Sequence, residues 1–173
     1  MKFILKLFAV ALILITSTAF AESPYPQTLE NGNLVLVDGG MGVGRYADRA
    51  SVGVDKYAPP FYELSIDILP VTFSDSYYRE NGTYVGSTYT TGSSYRLYFK
   101  YNLDTKTVFN KQNGIWKVWD INRNYSHAEG NPLIPNAAEV AFFHAYRMKF
   151  FGDKLNGSGY PVISDNLYDA LGF

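Results

Sequence analysis

Residues 94–121 read SYRLYFKYNLDTKTVFNKQNGIWKVWDI, and their pattern decides the fold class. Tyr95, Leu97, Phe99 and Tyr101 alternate with Arg96, Tyr98 and Lys100, the period of two that places one set of side chains on each face of a strand. Two further strand-like runs follow, joined at Asn113-Gly114, a dipeptide suited to the left-handed backbone of a two-residue hairpin turn. The segment predicts a three-stranded antiparallel meander. Upstream, FYELSIDILPVTF at 61–73 sets Leu64, Ile66 and Ile68 against Glu63, Ser65 and Asp67, a strand with one dry and one wet face. Pro70 predicts that this strand lies at an edge or bends there.

Downstream, NAAEVAFFHAYRMKFFG predicts the main helix over 137–151, with Asn136 as N-cap, Glu139 in capping-box position and Gly152 just past the end. Ser164 is placed to cap a short final helix in SDNLYDALGF. The expected fold is therefore α+β: an antiparallel sheet of about five or six strands with one main C-terminal helix packed on a face.

The amino terminus, MKFILKLFAVALILITSTAFA, has the lysines, apolar run and small-residue pair of a secretory signal, with cleavage expected after Ala21. Its apolar run is shorter than the roughly 20 residues that span a bilayer, so no stable membrane anchor is expected after cleavage. Residues 22–33 read as a linker, and 34–173 as a single domain. Removing Lys2 and Lys6 with the signal leaves 13 basic residues against 16 acidic, a formal charge of −3. This balance argues against a nucleic-acid partner, which calls for a basic surface. The chain has no cysteine, which excludes disulfides, thiol catalysis and zinc–thiolate sites. Fifteen Tyr, twelve Phe and two Trp must build the core, and some of them are available for a sticky face. The polar stretch 74–92, with its Asn81-Gly82 turn signal, reads as an excursion from the sheet.

Two motifs suggest chemistry that their context does not support. Gly42, Gly44 and Ala47 match the glycine fingerprint of a dinucleotide loop, yet no crossover helix follows them, so no cofactor is expected. The glycines instead permit a tight return from a strand at Leu34–Val37 into Tyr46 and a turn over Asp48–Ser51. In DINRNYSHAEGN, Asp120, Asn122 and Asn124 stand at the first three oxygen positions of a calcium loop, but Tyr125 replaces its glycine and Asn131 its terminal glutamate. His127 and Glu129 in the same loop are the candidates for acid–base chemistry, and no nucleophile elbow accompanies them. His144 reads as a partly buried helix residue. Sequons occur at Asn81, Asn124 and Asn156.

The order of a short strand, the segment Tyr46-x-Asp48-x-x-Ser51, a long alternating strand, a meander and a C-terminal helix resembles the small exported domains of the surface-adhesin protein E family. The likeness is one of layout, from Leu34 to Gly152. It implies a sheet packed on a helix and a periplasmic or cell-surface binding role, and it assigns no functional residue. The leading expectation is an exported, non-catalytic binding module for a protein or glycan, with Tyr98, Trp116 and Trp119 as its binding residues. Trp116 and Trp119 fall on opposite faces of one strand, so a one-sided sheet buries at most one of them. The competing expectations are a secreted hydrolase using His127 and Glu129, and a small outer-membrane β-barrel.

Overall fold

Alternation in residues 61–73 forms the strand around which the sheet is organised. A computed structural model describes residues 25–73, 89–119 and 132–173. Their strands are β1 (Thr28–Leu29), β2 (Leu34–Gly40), β3 (Val43–Ala58), β4 (Phe61–Phe73), β5 (Tyr89–Thr91), β6 (Tyr95–Asn102), β7 (Thr107–Gln112) and β8 (Ile115–Trp119), followed by helices α1 (Leu133–Tyr146) and α2 (Asp165–Leu171). The strands make one antiparallel sheet in the order β1-β2-β3-β4-β6-β7-β8, with β5 also on β4. Among the described residues the sheet is open, ending at β1 and β8, whereas the β-barrel expectation calls for a closed one. The α+β class and the meander are as expected, but the described residues form eight strands where five or six were expected. The extra ones include β1 and β5, of two and three residues, too short to carry a periodic signal. β1 falls within the stretch expected to be a linker, and Tyr25 ahead of it is already buried.

Pro70 marks no edge, because β4 is flanked on both sides. On one side Pro70 pairs with Arg45 of β3. On the other it faces the gap where β5 ends opposite Val71 and β6 begins opposite Ile68, and Gly92 N–H donates to the Pro70 carbonyl at 2.8 Å. The residue without an N–H thus sits where the ladder is interrupted, and no donor is orphaned.

The glycines of β2 and β3 have two jobs. Met41 and Gly42 take φ of 54° and 79° in the two-residue β2–β3 turn. Gly39 and Gly44, opposite one another in the sheet, lie under the rings of Tyr25 and Tyr46. A Cβ on Gly39 would stand 2.5 Å from Tyr25, and one on Gly44 2.6 Å from Tyr46. These rings, with Leu34, Leu36, Val71 and Phe73, build a small core on the sheet's outer face at the β1–β4 end. Further along, the expected turn at Asp48–Ser51 is a bulge within one long strand: Asp48 pairs with Asp67 and Gly53 with Ser65. Asp48 accepts from Ala50 N–H and the Asn33 amide, while the Ser51 hydroxyl donates to the Asp48 carbonyl and accepts from Asp67 N–H.

The main core lies between the inner face (Leu64, Ile66, Ile68, Phe99, Tyr101, Val108 and Trp119) and the two helices. Helix α1 starts three residues before Asn136, and its third residue, Pro135, lies in the first turn, where a missing N–H is harmless. Asn136 is not the N-cap; its side chain donates to the Val37 carbonyl of β2, at a register shift in the β2–β3 ladder. The helix stops at Tyr146 rather than near 151 because Arg147 turns left-handed, at φ 55°, and its N–H caps the Phe143 carbonyl. Glu139 belongs to no capping box. It is fully buried, and its carboxylate accepts from the N–H groups of Phe150 (2.8 Å) and Phe151 (3.0 Å) and from the Tyr168 hydroxyl (2.9 Å). Helix α2 is capped as expected, the Ser164 hydroxyl accepting from Leu167 N–H, and Gly172 ends it in a left-handed conformation. No helix among the described residues is long and apolar enough to cross a membrane.

Burial raises the Glu139 pKa, outweighing the hydrogen bonds from Phe151, Tyr168 and Phe150, which lower it. The folded carboxyl therefore holds its proton more tightly than the unfolded one. Its contribution to stability is full below the ordinary carboxyl range and declines as pH rises through the raised value. Glu139→Ala, which strands three buried donors, is expected to lower unfolding free energy by about 3 kcal/mol or more in urea melts. The stability advantage of wild type over Glu139→Gln should be larger at pH 4 than at pH 7. Gly44→Ala should cost about 1–3 kcal/mol by overpacking the Tyr46 ring. Gly40→Ala, whose Cβ meets nothing within 4 Å, should stay within about 0.5 kcal/mol of wild type.

Candidate functional site

Strand pairing lines up side chains from neighbouring strands in rows. On the outer face, away from the helices, Ser65 pairs with Tyr98, and Lys111 with Trp116. Phe99 pairs with Asn110, so the next step of the same ladder sets Tyr98 beside Lys111. One row therefore runs Ser65, Tyr98, Lys111, Trp116 across four strands. The Lys111 ammonium stands 5.7 Å from the centroid of the Tyr98 ring and 5.5 Å from that of Trp116, within cation–π range of both. The adjacent row runs Glu63, Lys100, Phe109, Val118.

Charge and aromatic character separate along these rows. Toward β4 the charges are matched: Lys100 pairs with Glu63 at 3.8 Å, and Arg96 grips Asp67 through two nitrogens at 2.7 and 3.1 Å. Toward β8, Tyr98 (40% exposed) and Val118 (54%) reach solvent, Trp116 and Phe109 are half-buried, and Lys111 has no carboxylate within ion-pair distance among the described residues. This end of the sheet offers apolar ring surface, a phenol hydroxyl, an indole N–H and one positive charge. Those are the means of binding an amphipathic ligand, with the rings contributing most of the contact area.

Of the three aromatic residues singled out from the sequence, Tyr98 and Trp116 come together here and Trp119 does not. Trp119 is 7% exposed and packs edge-to-face on Phe151 in the core. The strand-face argument expected such a division, and the position of the helices decides which tryptophan is buried. Lys111 joins Tyr98 and Trp116 without belonging to any motif, its pairing with Trp116 set by the two-residue Asn113-Gly114 turn. Asp120, Asn122, Asn124, His127 and Glu129 lie outside the described residues, as does the Asn81-Gly82 turn. Among the described residues no group of three His, Cys, Asp or Glu side chains is placed to hold a metal ion. Asn156, in one of the sequons, is buried, and its side chain accepts from Ser158 and Tyr160 N–H groups. Compared with known proteins, the chain matches no family model, no curated protein and no solved structure.

The two tryptophans should separate cleanly in urea melts. Trp119→Ala is expected to lose about 3–5 kcal/mol of stability, the cost of emptying a core position, whereas Trp116→Ala should lose no more than about 1 kcal/mol.

Proposed function

We propose that the protein is an exported, non-catalytic binding module whose ligand is a protein or glycan engaged by the outer face of the meander. The observation that carries this reading is the row of Tyr98, Lys111 and Trp116 on a sheet face that no described helix covers. Rings held by strand pairing lose little freedom when a ligand settles on them, and exposed aromatic residues dominate binding energy where they occur. Export is supported by the lysine-bearing apolar amino terminus with its small-residue cleavage pattern. A surface or periplasmic role of the kind found around the surface-adhesin protein E family agrees with this reading.

The test is retention of envelope proteins and arrayed glycans by immobilised wild-type protein and by Tyr98→Ala and Trp116→Ala variants of unchanged melting temperature. Each substitution is expected to reduce retention of a specific ligand at least tenfold, about 1.4 kcal/mol. Retention that survives both substitutions would show that the ligand binds elsewhere.

A further inference from the structure

The sheet ends at β1 and β8, and the two ends differ. β1 has two residues, too few to template another strand. β8 runs five residues in unbroken register with β7, without a bulge or a proline, and no other described strand pairs with it. An edge of this kind presents backbone donors and acceptors to a further strand.

The hairpin turn fixes which groups the edge offers. Asn113 and Gly114 take φ of 50° and 80°, so Gln112 and Ile115, which flank them, form a hydrogen-bonded pair. Such pairs alternate with non-hydrogen-bonded ones, and Ile115, Lys117 and Trp119 therefore direct their backbone groups toward β7. The N–H and C=O groups of Trp116 and Val118 point the other way, to the open edge. The side chains of these same two residues lie on the outer face, beside Lys111 and Phe109. A strand added to β8 would continue the rows of that face, with the residues opposite Trp116 and Val118 upon it and the residue between them opposite Lys117.

Charge selects the occupant. β7 and β8 contain Lys111 and Lys117 and no Asp or Glu. Lys117 is exposed, with no carboxylate within ion-pair distance among the described residues. A second copy of the chain fits poorly. Pairing two β8 strands about a two-fold axis, with Trp116 bonded to Val118 of the other copy, sets Lys117 against its own counterpart in a non-hydrogen-bonded pair, Cα atoms about 4.5 Å apart. Like charges directly opposite one another are destabilising, whereas a carboxylate in that place is favoured.

We propose that β8 receives an extended segment of a protein ligand as an additional antiparallel strand, with a carboxylate opposite Lys117 and apolar residues on either side of it packed on Trp116 and Val118. Main-chain bonds supply the affinity and the alternating side chains the specificity. The proposal rests on the outer face being the binding surface, and it names a polypeptide rather than a glycan as the ligand.

The experiment follows amide hydrogen exchange of the full-length protein with the blocked peptide Ser-Thr-Val-Glu-Val-Thr-Ser. Saturating peptide is expected to slow exchange at Trp116 and Val118 by about tenfold or more. A peptide N-methylated at both valines keeps every side chain but lacks the strand donors, and should give no protection. Lys117→Glu, at an exposed position, should weaken binding of the first peptide about fivefold and favour its Ser-Thr-Val-Lys-Val-Thr-Ser analogue by the same factor. Exchange at Trp116 and Val118 unchanged by millimolar peptide, or binding that N-methylation leaves intact, would overturn strand addition. If retention of glycans or envelope proteins still depended on Tyr98 and Trp116 in that event, the outer face would stand as the binding surface and only its use of the β8 edge would fall.

Discussion

The buried carboxylate of Glu139 ties together three parts of the chain: α1, the segment that follows it, and α2. Leaving α1, the backbone reverses at Arg147 and returns through Phe150 and Phe151, both buried, with amide groups that no strand or helix satisfies. Glu139 accepts from both amides and from the hydroxyl of Tyr168 on α2, so one side chain joins two helices and the segment between them. A carboxylate is suited to this place because it only accepts and has room for several donors. The packing follows from it. Phe150 meets Tyr101 and Phe142 edge-on, Phe151 meets Trp119, and the Tyr101 hydroxyl donates to the Ala138 carbonyl beside Glu139. The last strand of the meander is thereby fastened to the core through its tryptophan.

That fastening decides what the other face presents. With Trp119 turned inward, strand alternation turns Trp116 outward, beside Lys111 and in line with Tyr98. At the opposite end of the sheet the same outer face is not free, because Tyr25, Tyr46 and Phe73 close it over Gly39 and Gly44. Of the glycines that resemble a nucleotide loop, Gly42 makes the β2–β3 turn and Gly44 lies under the Tyr46 ring. One sheet carries a covered half and an aromatic open half, and the proposed ligand surface is the open one.

Much of this was legible because the relevant physics is local. Strict alternation gave β4 and β6, Asn113-Gly114 gave the β7–β8 hairpin with left-handed φ values of 50° and 80°, and Ser164 gave the cap of α2. The misreadings share a cause. Asn136 and Glu139 have the spacing of a capping pair, but each makes its bonds far along the chain, to Val37 and to Phe150 and Phe151. Pro70 reads as an edge signal because a missing donor is harmless there, and it is equally harmless opposite the break between β5 and β6. The contribution of Tyr25 to a core depends on a glycine fourteen positions away.

The sequence by itself determined the α+β class, the meander, the hairpin turns and the rule that Trp116 and Trp119 face opposite ways. These follow from side-chain periodicity and from the backbone demands of a few residues. Only the tertiary structure decided which tryptophan is buried and what Glu139 binds. Those outcomes depend on where the helices come to rest on the sheet, through contacts between residues whose separation along the chain carries no periodic signal.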